Sequence, residues 1–367
     1  MQRAPGGKTL TVIGLGNIGS HLTVQVARMP DVRTVVLVDR DAYSPENIES
    51  QQVFRSDLAR PKALAQARTL KKIRPELCVV PICDDVRNVP VGRLRADLML
   101  ACLDSRVARQ YVNEIAWRLS MPWVDAGVRA DGMLARVNAY APDLGGPCLE
   151  CGWEQQDYDL LEQAYPCSGQ ATDTTPTGAP ASLGALAASL QAIECRKLLD
   201  GDLGFAAAGG QILIDLNSRA HYVTSSRRNS QCRFDHRSWE IRELHCDPRC
   251  FTLSDLFDHA VREGAQGLLR LAVEGKAFAR AVLCPSCGRT RRVLGLLHRL
   301  TRRQVTCGCG ERMVAAGFDR VRNLERASLG ESELALPLGR LGLLPGDVAT
   351  VRSPERDLHY EMRDGLR

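Results

Sequence analysis

Between Lys8 and Tyr140 the chain predicts an α/β fold with a doubly wound, mostly parallel sheet, and three observations carry that expectation. Short β-branched runs alternate with helical patterns, the rhythm of successive β-α-β units. The first run, Thr9 to Ile13, closes on a glycine loop, Gly14-Leu-Gly16-Asn-Ile-Gly19, and a second run from Thr34 ends on an acid, Asp39. From Cys232 onward the rhythm gives way to cysteine pairs, arginine clusters and a strand-rich tail, which predicts a C-terminal zinc ribbon and β-rich extension.

The elements follow in order. Strands are predicted at Lys8 to Ile13, Thr34 to Val38, Leu77 to Ile82, Leu98 to Cys102 and Trp123 to Asp125. Helices fit between them, from Asn17, from Asp57 to Ile73 and from Ser105 to Leu119, each with a capping residue and an apolar stripe. Leu134 to Tyr140 reads as an antiparallel addition to the sheet. Residues 152–180 carry Thr, Pro, Gly and Ser with little periodicity and predict a long crossing loop. The helix predicted at Ala181 to Leu199 has so few polar residues that it should be buried or packed on a partner, and Gln211 to Ser225 offers two short strands. The expected domains are residues 1–236, a helical linker region at 237–283, the zinc ribbon at 284–325 and a β-rich tail at 326–367.

Composition narrows the function classes. At 367 residues the chain can bury a full α/β core and still carry appended modules. A formal net charge of +5 is too small for a general nucleic-acid coat. No apolar stretch reaches the length of a membrane span, and Met1 to Lys8 has no secretory pattern, so a cytoplasmic protein is expected. In that reducing setting the 14 cysteines read as metal ligands and one reactive thiol rather than as a disulfide framework.

A glycine loop that closes a strand and opens a helix lets backbone N–H groups approach a phosphate, and an acid about twenty residues on reaches ribose hydroxyls. Alone, this fits a nicotinamide dehydrogenase as well as an ATP-using enzyme. The residues that follow decide for ATP: Val38-Asp39-Arg-Asp41, then Asn47 to Gln51, then Arg60-Pro61-Lys62-Ala63, then Cys102-Leu-Asp104 to Arg109. Together, in this order, they resemble the Rossmann-like adenylation domain shared by ubiquitin-activating enzymes and the ThiF/MoeB/HesA adenylyltransferases. The resemblance runs from about Thr9 to about Arg228.

That resemblance implies roles for Gly14, Gly16, Asn17, Gly19, Asp39, Asp41, Asn47, Gln51, Lys62 and Asp104 around ATP. Asp39 matches the ribose-binding acid, Lys62 the lysine that offsets phosphate charge, and Asp104 the acid associated with Mg2+. Read only locally, Asp104 is also a plausible helix cap and Lys62 a solvated helix residue. Where the family places an arginine after Asn47, this chain has Ser50, so the phosphate-facing guanidinium is sought at Arg55 or Arg109. A homodimer is the expected assembly.

The same resemblance sorts the cysteines. Cys148-Leu-Glu-Cys151-Gly matches the family's first zinc knuckle, with Cys232 and His236 preferred as its remaining ligands and Cys246 and Cys250 as the alternative pair. Cys284-Pro-Ser-Cys287 and Cys307-Gly-Cys309 resemble a second zinc site. The arginines between them, Arg289, Arg291, Arg292, Arg299, Arg302 and Arg303, read as a solvated face or as a docking surface for an acidic protein. Cys167 stands apart in the crossing loop, where relatives that form a thioester place their nucleophile. The resemblance therefore implies ATP-dependent activation of a small ubiquitin-like protein at its C-terminus, transfer to Cys167 and hand-over to a conjugating-enzyme-like partner, as in bacterial ubiquitin-like conjugation systems. The alternatives are a sulfur-carrier adenylyltransferase of cofactor biosynthesis, a nicotinamide-dependent oxidoreductase and a non-catalytic scaffold.

Overall fold

Strand β1 (Lys8–Ile13) is buried along nearly its whole length, as a central strand covered on both faces must be. A computed structural model of the chain describes residues 6–163, 178–204 and 206–364. They form two units, Met1–Val89 with Leu94–Ser238, and Pro90–Arg93 with Trp239–Arg367.

In the first unit β1 leads into α1 (Asn17–Val26), β2 (Val32–Val38), α2 (Lys62–Ile73) and β3 (Cys78–Ile82); after the single turn α3 (Val91–Leu94), most of which belongs to the second unit, come β4 (Leu98–Ala101) and α4 (Arg106–Arg118). Then come β5 (Trp123–Arg129), β6 (Leu134–Tyr140), α5 (Gln155–Gln163), α6 (Ala181–Leu199), β7 (Gly210–Asp215) and β8 (Ala220–Ser225). The eight strands lie in the order β3-β2-β1-β4-β5-β6-β7-β8. The first five pair in parallel and the last three add antiparallel. The chain runs one way from β1 to β3 and the other way from β4 to β5. Right-handed crossovers then send the connecting helices to opposite faces and open a crevice at the carboxyl ends of β1 and β4.

Helix α6 belongs to the main core. Leu183, Ala187, Ala188 and Cys195 are buried with Leu10 and Leu100 of the sheet and Leu22 of α1. Its approach to α1 depends on Gly184, where a Cβ would stand 1.8 Å from Asn17 Oδ1.

The second unit carries β9 (Ile241–Cys246), α7 (Leu253–Arg262), β10 (Arg270–Ala272), β11 (Phe278–Leu283), β12 (Thr290–Leu296), the turn α8 (Arg302–Val305), β13 (Arg320–Val321), β14 (Asn323–Glu325), the turn α9 (Glu331–Leu334), β15 (Val348–Arg352) and β16 (Asp357–Asp364). One sheet has the order β14-β10-β15-β16-β9 and a second has β12-β11-β13. The core of the first lies under α7, whose Leu253, Leu256, Phe257 and Ala260 bury against Leu271, Val351 and Tyr360.

Three expectations change. The helix expected from Asp57 begins at Lys62, because Pro61 disfavours helical backbone at Arg60 and itself stands as the cap. The stretch 152–180 is not wholly a loop: the polar, helix-favouring run Gln155–Gln163 forms α5. Residues 237–283, expected as a helical linker, hold three strands and one helix; in Ile241–Cys246 the alternation that buries Leu244 and Cys246 belongs to a strand.

Candidate nucleotide site and two thiolate clusters

The glycine loop folds back over the ends of three strands. Gly14 adopts φ +86°, a left-handed conformation that glycine tolerates, and a Cβ there would lie 2.4 Å from the Cys102 carbonyl. Gly19 would meet the Gly14 carbonyl at 1.9 Å, whereas beside Gly16 the space is open. The loop thus has two glycines that permit close backbone packing and one whose open side admits a ligand. Helix α1 opens with neither a side-chain cap nor an acid in its first turn, which leaves its N-terminal N–H groups suited to an anion.

Asp39 ties this loop to β2. Its Oδ2 accepts from the Leu15 N–H at 2.7 Å and its Oδ1 from the Asp41 N–H at 2.8 Å. Burial pushes the carboxyl pKa above its ordinary value, opposed first by the charge of Lys62 and then by these two N–H groups. Lys62 is 11 % exposed, and its Nζ lies 3.8 Å from Asp41 Oδ2 and 5.7 Å from the centre of the Tyr43 ring. It is therefore not a solvated helix residue: it begins α2 with its cation held among the groups at the end of β2.

The neighbouring segment is fixed by residues that the sequence did not mark. Tyr43 Oη donates to the Leu15 carbonyl at 3.1 Å, Gln66 Nε2 donates to Tyr43 Oη at 2.8 Å and to the Gln52 carbonyl at 3.0 Å, and Thr23 donates to Gln66 Oε1 at 2.8 Å. A fully buried glutamine on the apolar side of α2, between Ala63 and Leu70, was the available signal. Asn47 closes its own turn, accepting from the Ser44 N–H at 3.0 Å. Gln51 follows it with Oε1 buried and without a hydrogen-bond partner among the described residues.

Asp104 is exposed just beyond β4, and the helix-capping role belongs to its neighbour Ser105, whose Oγ accepts from the Ala108 N–H at 3.3 Å. Cys102, before it, donates to Gln191 Oε1 at 3.1 Å, and burial pushes its thiol pKa up. Arg55 is exposed on the turn Arg55–Asp57. Arg109 is already engaged: its Nε donates at 2.8 Å to Asp125, whose side chain is 0 % exposed. Arg136 Nη2 stands 3.0 Å from the other oxygen of Asp125. The pair of guanidiniums around one buried carboxylate was not legible in the sequence.

Cys148, Cys151, Cys232 and His236 bring their donor atoms within 4.8 Å of one another, as do Cys284, Cys287, Cys307 and Cys309. In the first cluster Cys148 and Cys232 sulfurs are 3.7 Å apart and Cys151 Sγ is 3.2 Å from His236 Nε2. In the second the Cys284–Cys309 and Cys287–Cys307 separations are both 3.5 Å. Such gaps are far too long for disulfides and close to the roughly 3.8 Å edge of a tetrahedron of thiolates around zinc. Trp117 and Phe234 pack edge-on against the His236 ring, and burial lowers its pKa toward the neutral, ligating form. Cys246 and Cys250 join neither cluster. Cys167 lies outside the described residues.

A parallel sheet that presents a glycine loop, a buried acid and a lysine at the strand ends where its winding reverses is a nucleotide-binding α/β domain. Comparison with known proteins specifies it further: the chain belongs to the ThiF family, whose model matches residues 7–234. It is 27 % identical over 224 residues to the sulfur carrier protein ThiS adenylyltransferase of Escherichia coli, covering 60 % of this chain and 83 % of that one. To ubiquitin-like modifier-activating enzyme 5 of Bombyx mori it is 23 % identical over 157 residues, covering 39 % of each chain. The structure of E. coli MccB with ATP superposes with a TM-score of 0.51 at 22 % identity, over 62 % of this chain and 66 % of that one, a likeness of fold. The chain thus spans most of the length of one curated relative and about two fifths of another. No described helix is long and apolar enough to cross a membrane.

Removing the charge at Asp125 leaves two guanidiniums facing a neutral group in the interior. Asp125→Asn should lower the unfolding free energy by about 3–5 kcal/mol, the cost of breaking a buried ion pair, measured by urea denaturation. A loss below about 1 kcal/mol would mean that the two arginines find solvent instead.

Proposed function

We propose that the chain adenylates the C-terminal carboxylate of a small ubiquitin-like protein and then carries the acyl group on Cys167 as a thioester. Lys62 is the observation that carries the adenylation step: a largely buried cation beside Asp39 and Asp41 suits phosphate charge, and hydride transfer has no use for it. Asp39 would take the ribose, the Gly14–Gly19 loop and the start of α1 the phosphates, and Asn47 and Gln51 the flank of the nucleotide. Exposed Asp104 would hold Mg2+, which neutralises triphosphate charge. With ATP so held, a carboxylate oxygen of the carrier attacks the α-phosphorus and pyrophosphate leaves. The Cys167 thiolate then displaces AMP from the acyl carbon, and the thioester keeps most of the activation for a conjugating-enzyme-like acceptor. The kinship with a sulfur-carrier adenylyltransferase favours a second reading, in which sulfur rather than Cys167 receives the activated acyl group.

Carrier-dependent exchange of pyrophosphate into ATP tests the first step. It should vanish in Asp104→Ala and fall by roughly 10²-fold in Lys62→Ala, the scale of losing one charge-stabilising group. Saturable NADH binding with no exchange would point instead to the oxidoreductase.

A non-reducing gel tests the second step. Enzyme, carrier and Mg-ATP should give a thiol-sensitive adduct that disappears in Cys167→Ala while exchange persists. Intact exchange with no adduct in the unaltered enzyme would favour sulfur transfer.

Zinc in both clusters is part of the same proposal, since their donor sets and separations fit a tetrahedral ion. Metal analysis should return close to two equivalents per chain, and Cys284→Ser should remove one while leaving exchange in place. Zinc lost on Cys250→Ser but kept on Cys232→Ser would overturn the assignment of the first cluster.

A further inference from the structure

A cleft in the second unit, about 710 Å3 in volume, is lined by Arg291, Arg299, Arg303 and Arg340 together with Thr301, Gln304 and two glycines. Arg340 reaches it from a segment remote in sequence from the cysteine-flanked arginine run. We propose that this cleft binds a carboxylate-rich extended segment of a protein partner.

Two of the four arginines are built in. Arg291 Nη1 donates to the carbonyls of Arg303, Gln304 and Thr306 at 2.7, 2.9 and 3.2 Å, which locks it against α8. Arg299 donates to the Gly342 carbonyl at 2.9 Å and pairs with the buried carboxylate of Asp347. Arg303 and Arg340 are exposed at the same cleft. The wall is therefore rigid and cationic, with two guanidinium forks presented to solvent. Guanidinium is the group that matches carboxylates in two-point contact.

Size and composition select the occupant. The cleft is half open to solvent and, at about 710 Å3, wider than one phosphate fills. None of the lining side chains is aromatic, so bases have nothing to stack on. None of the lining side chains is acidic; the buried Asp347 offsets the charge of Arg299, which leaves Arg291, Arg303 and Arg340 as the wall's uncompensated cations.

The test uses fluorescein-labelled hexaglutamate and the full chain, followed by fluorescence anisotropy without ATP or carrier, so that failure of adenylation leaves it unaffected. Saturable binding that weakens as salt rises is expected, together with about tenfold or greater loss of affinity in the double variant Arg303→Gln/Arg340→Gln. Both positions are exposed, and an unchanged thermal melt would show that the variant is folded. The proposal falls if the unaltered chain does not bind the peptide, or if a folded double variant binds it equally well. It also falls if oligothymidylate binds the cleft more tightly than hexaglutamate, which would make it a nucleic-acid site. Complete displacement of the peptide by low-millimolar inorganic phosphate would make it a small-anion site and would likewise overturn it.

Discussion

The carboxylate of Asp39 holds together the part of the molecule on which the rest is arranged. It accepts from the N–H of Leu15 on one strand end and of Asp41 on its own, so the glycine loop and the segment leading to Lys62 share one buried anion. Burial raises the energy of that anion, and the Lys62 cation with the two N–H donors offsets the cost. An uncompensated carboxylate here would open the loop; a neutral one would lose its hold on it. The Thr23–Gln66–Tyr43–Leu15 chain of hydrogen bonds adds a second, uncharged restraint on the same loop from the far side. Preorganisation of this kind matters because phosphate-binding N–H groups act through fixed geometry rather than through bond-making.

Much of this could be read from the sequence, for reasons that differ from place to place. The parallel strands are legible because full burial demands unbroken apolar runs, as in Thr9 to Ile13 and Thr34 to Val38. Helix α6 is legible because Ala181 to Leu199 is dominated by alanine and leucine. The second unit reads poorly: its strands are short, half-exposed and paired across long sequence distances, as when Ile241–Cys246 lies parallel to Asp357–Asp364. Local patterning carries no record of such a partner. At the site, the residues that would touch a ligand sit in compact motifs, whereas Tyr43, Gln66 and Arg136 act through neighbours that only the fold supplies. Cys232 and His236 meet Cys148 and Cys151 across eighty residues, and their grouping was suggested by kinship rather than by spacing.

The two thiolate clusters serve regions of very different internal support. Cys148 and Cys232 sit against Trp117 and Phe234 beside a large sheet. The second cluster has behind it only Val282, Met313 and a few partly buried neighbours, beside a three-stranded sheet. A core that small cannot offset the entropy of ordering its own loops, so a bound ion there would contribute to folding itself. The first cluster would instead trim and anchor a domain already able to fold. The same chemistry thus has a local meaning in one place and a foundational one in the other.

Strand order also sets a timetable for synthesis on the ribosome. In the first unit β1, the middle of the winding, emerges first, and each later strand finds a neighbour already made, so that sheet can grow as the chain appears. The five-stranded sheet works the other way: β16, which joins β15 to β9, is made after every other strand in it. Until it arrives, β9 has no partner in the sheet and the apolar residues of α7 face an incomplete layer. Nascent chains of this protein therefore pass through an interval, covering translation from β9 to β16, in which a finished first unit is tethered to an exposed hydrophobic half-sheet, and it is during that interval that chaperones have something to hold.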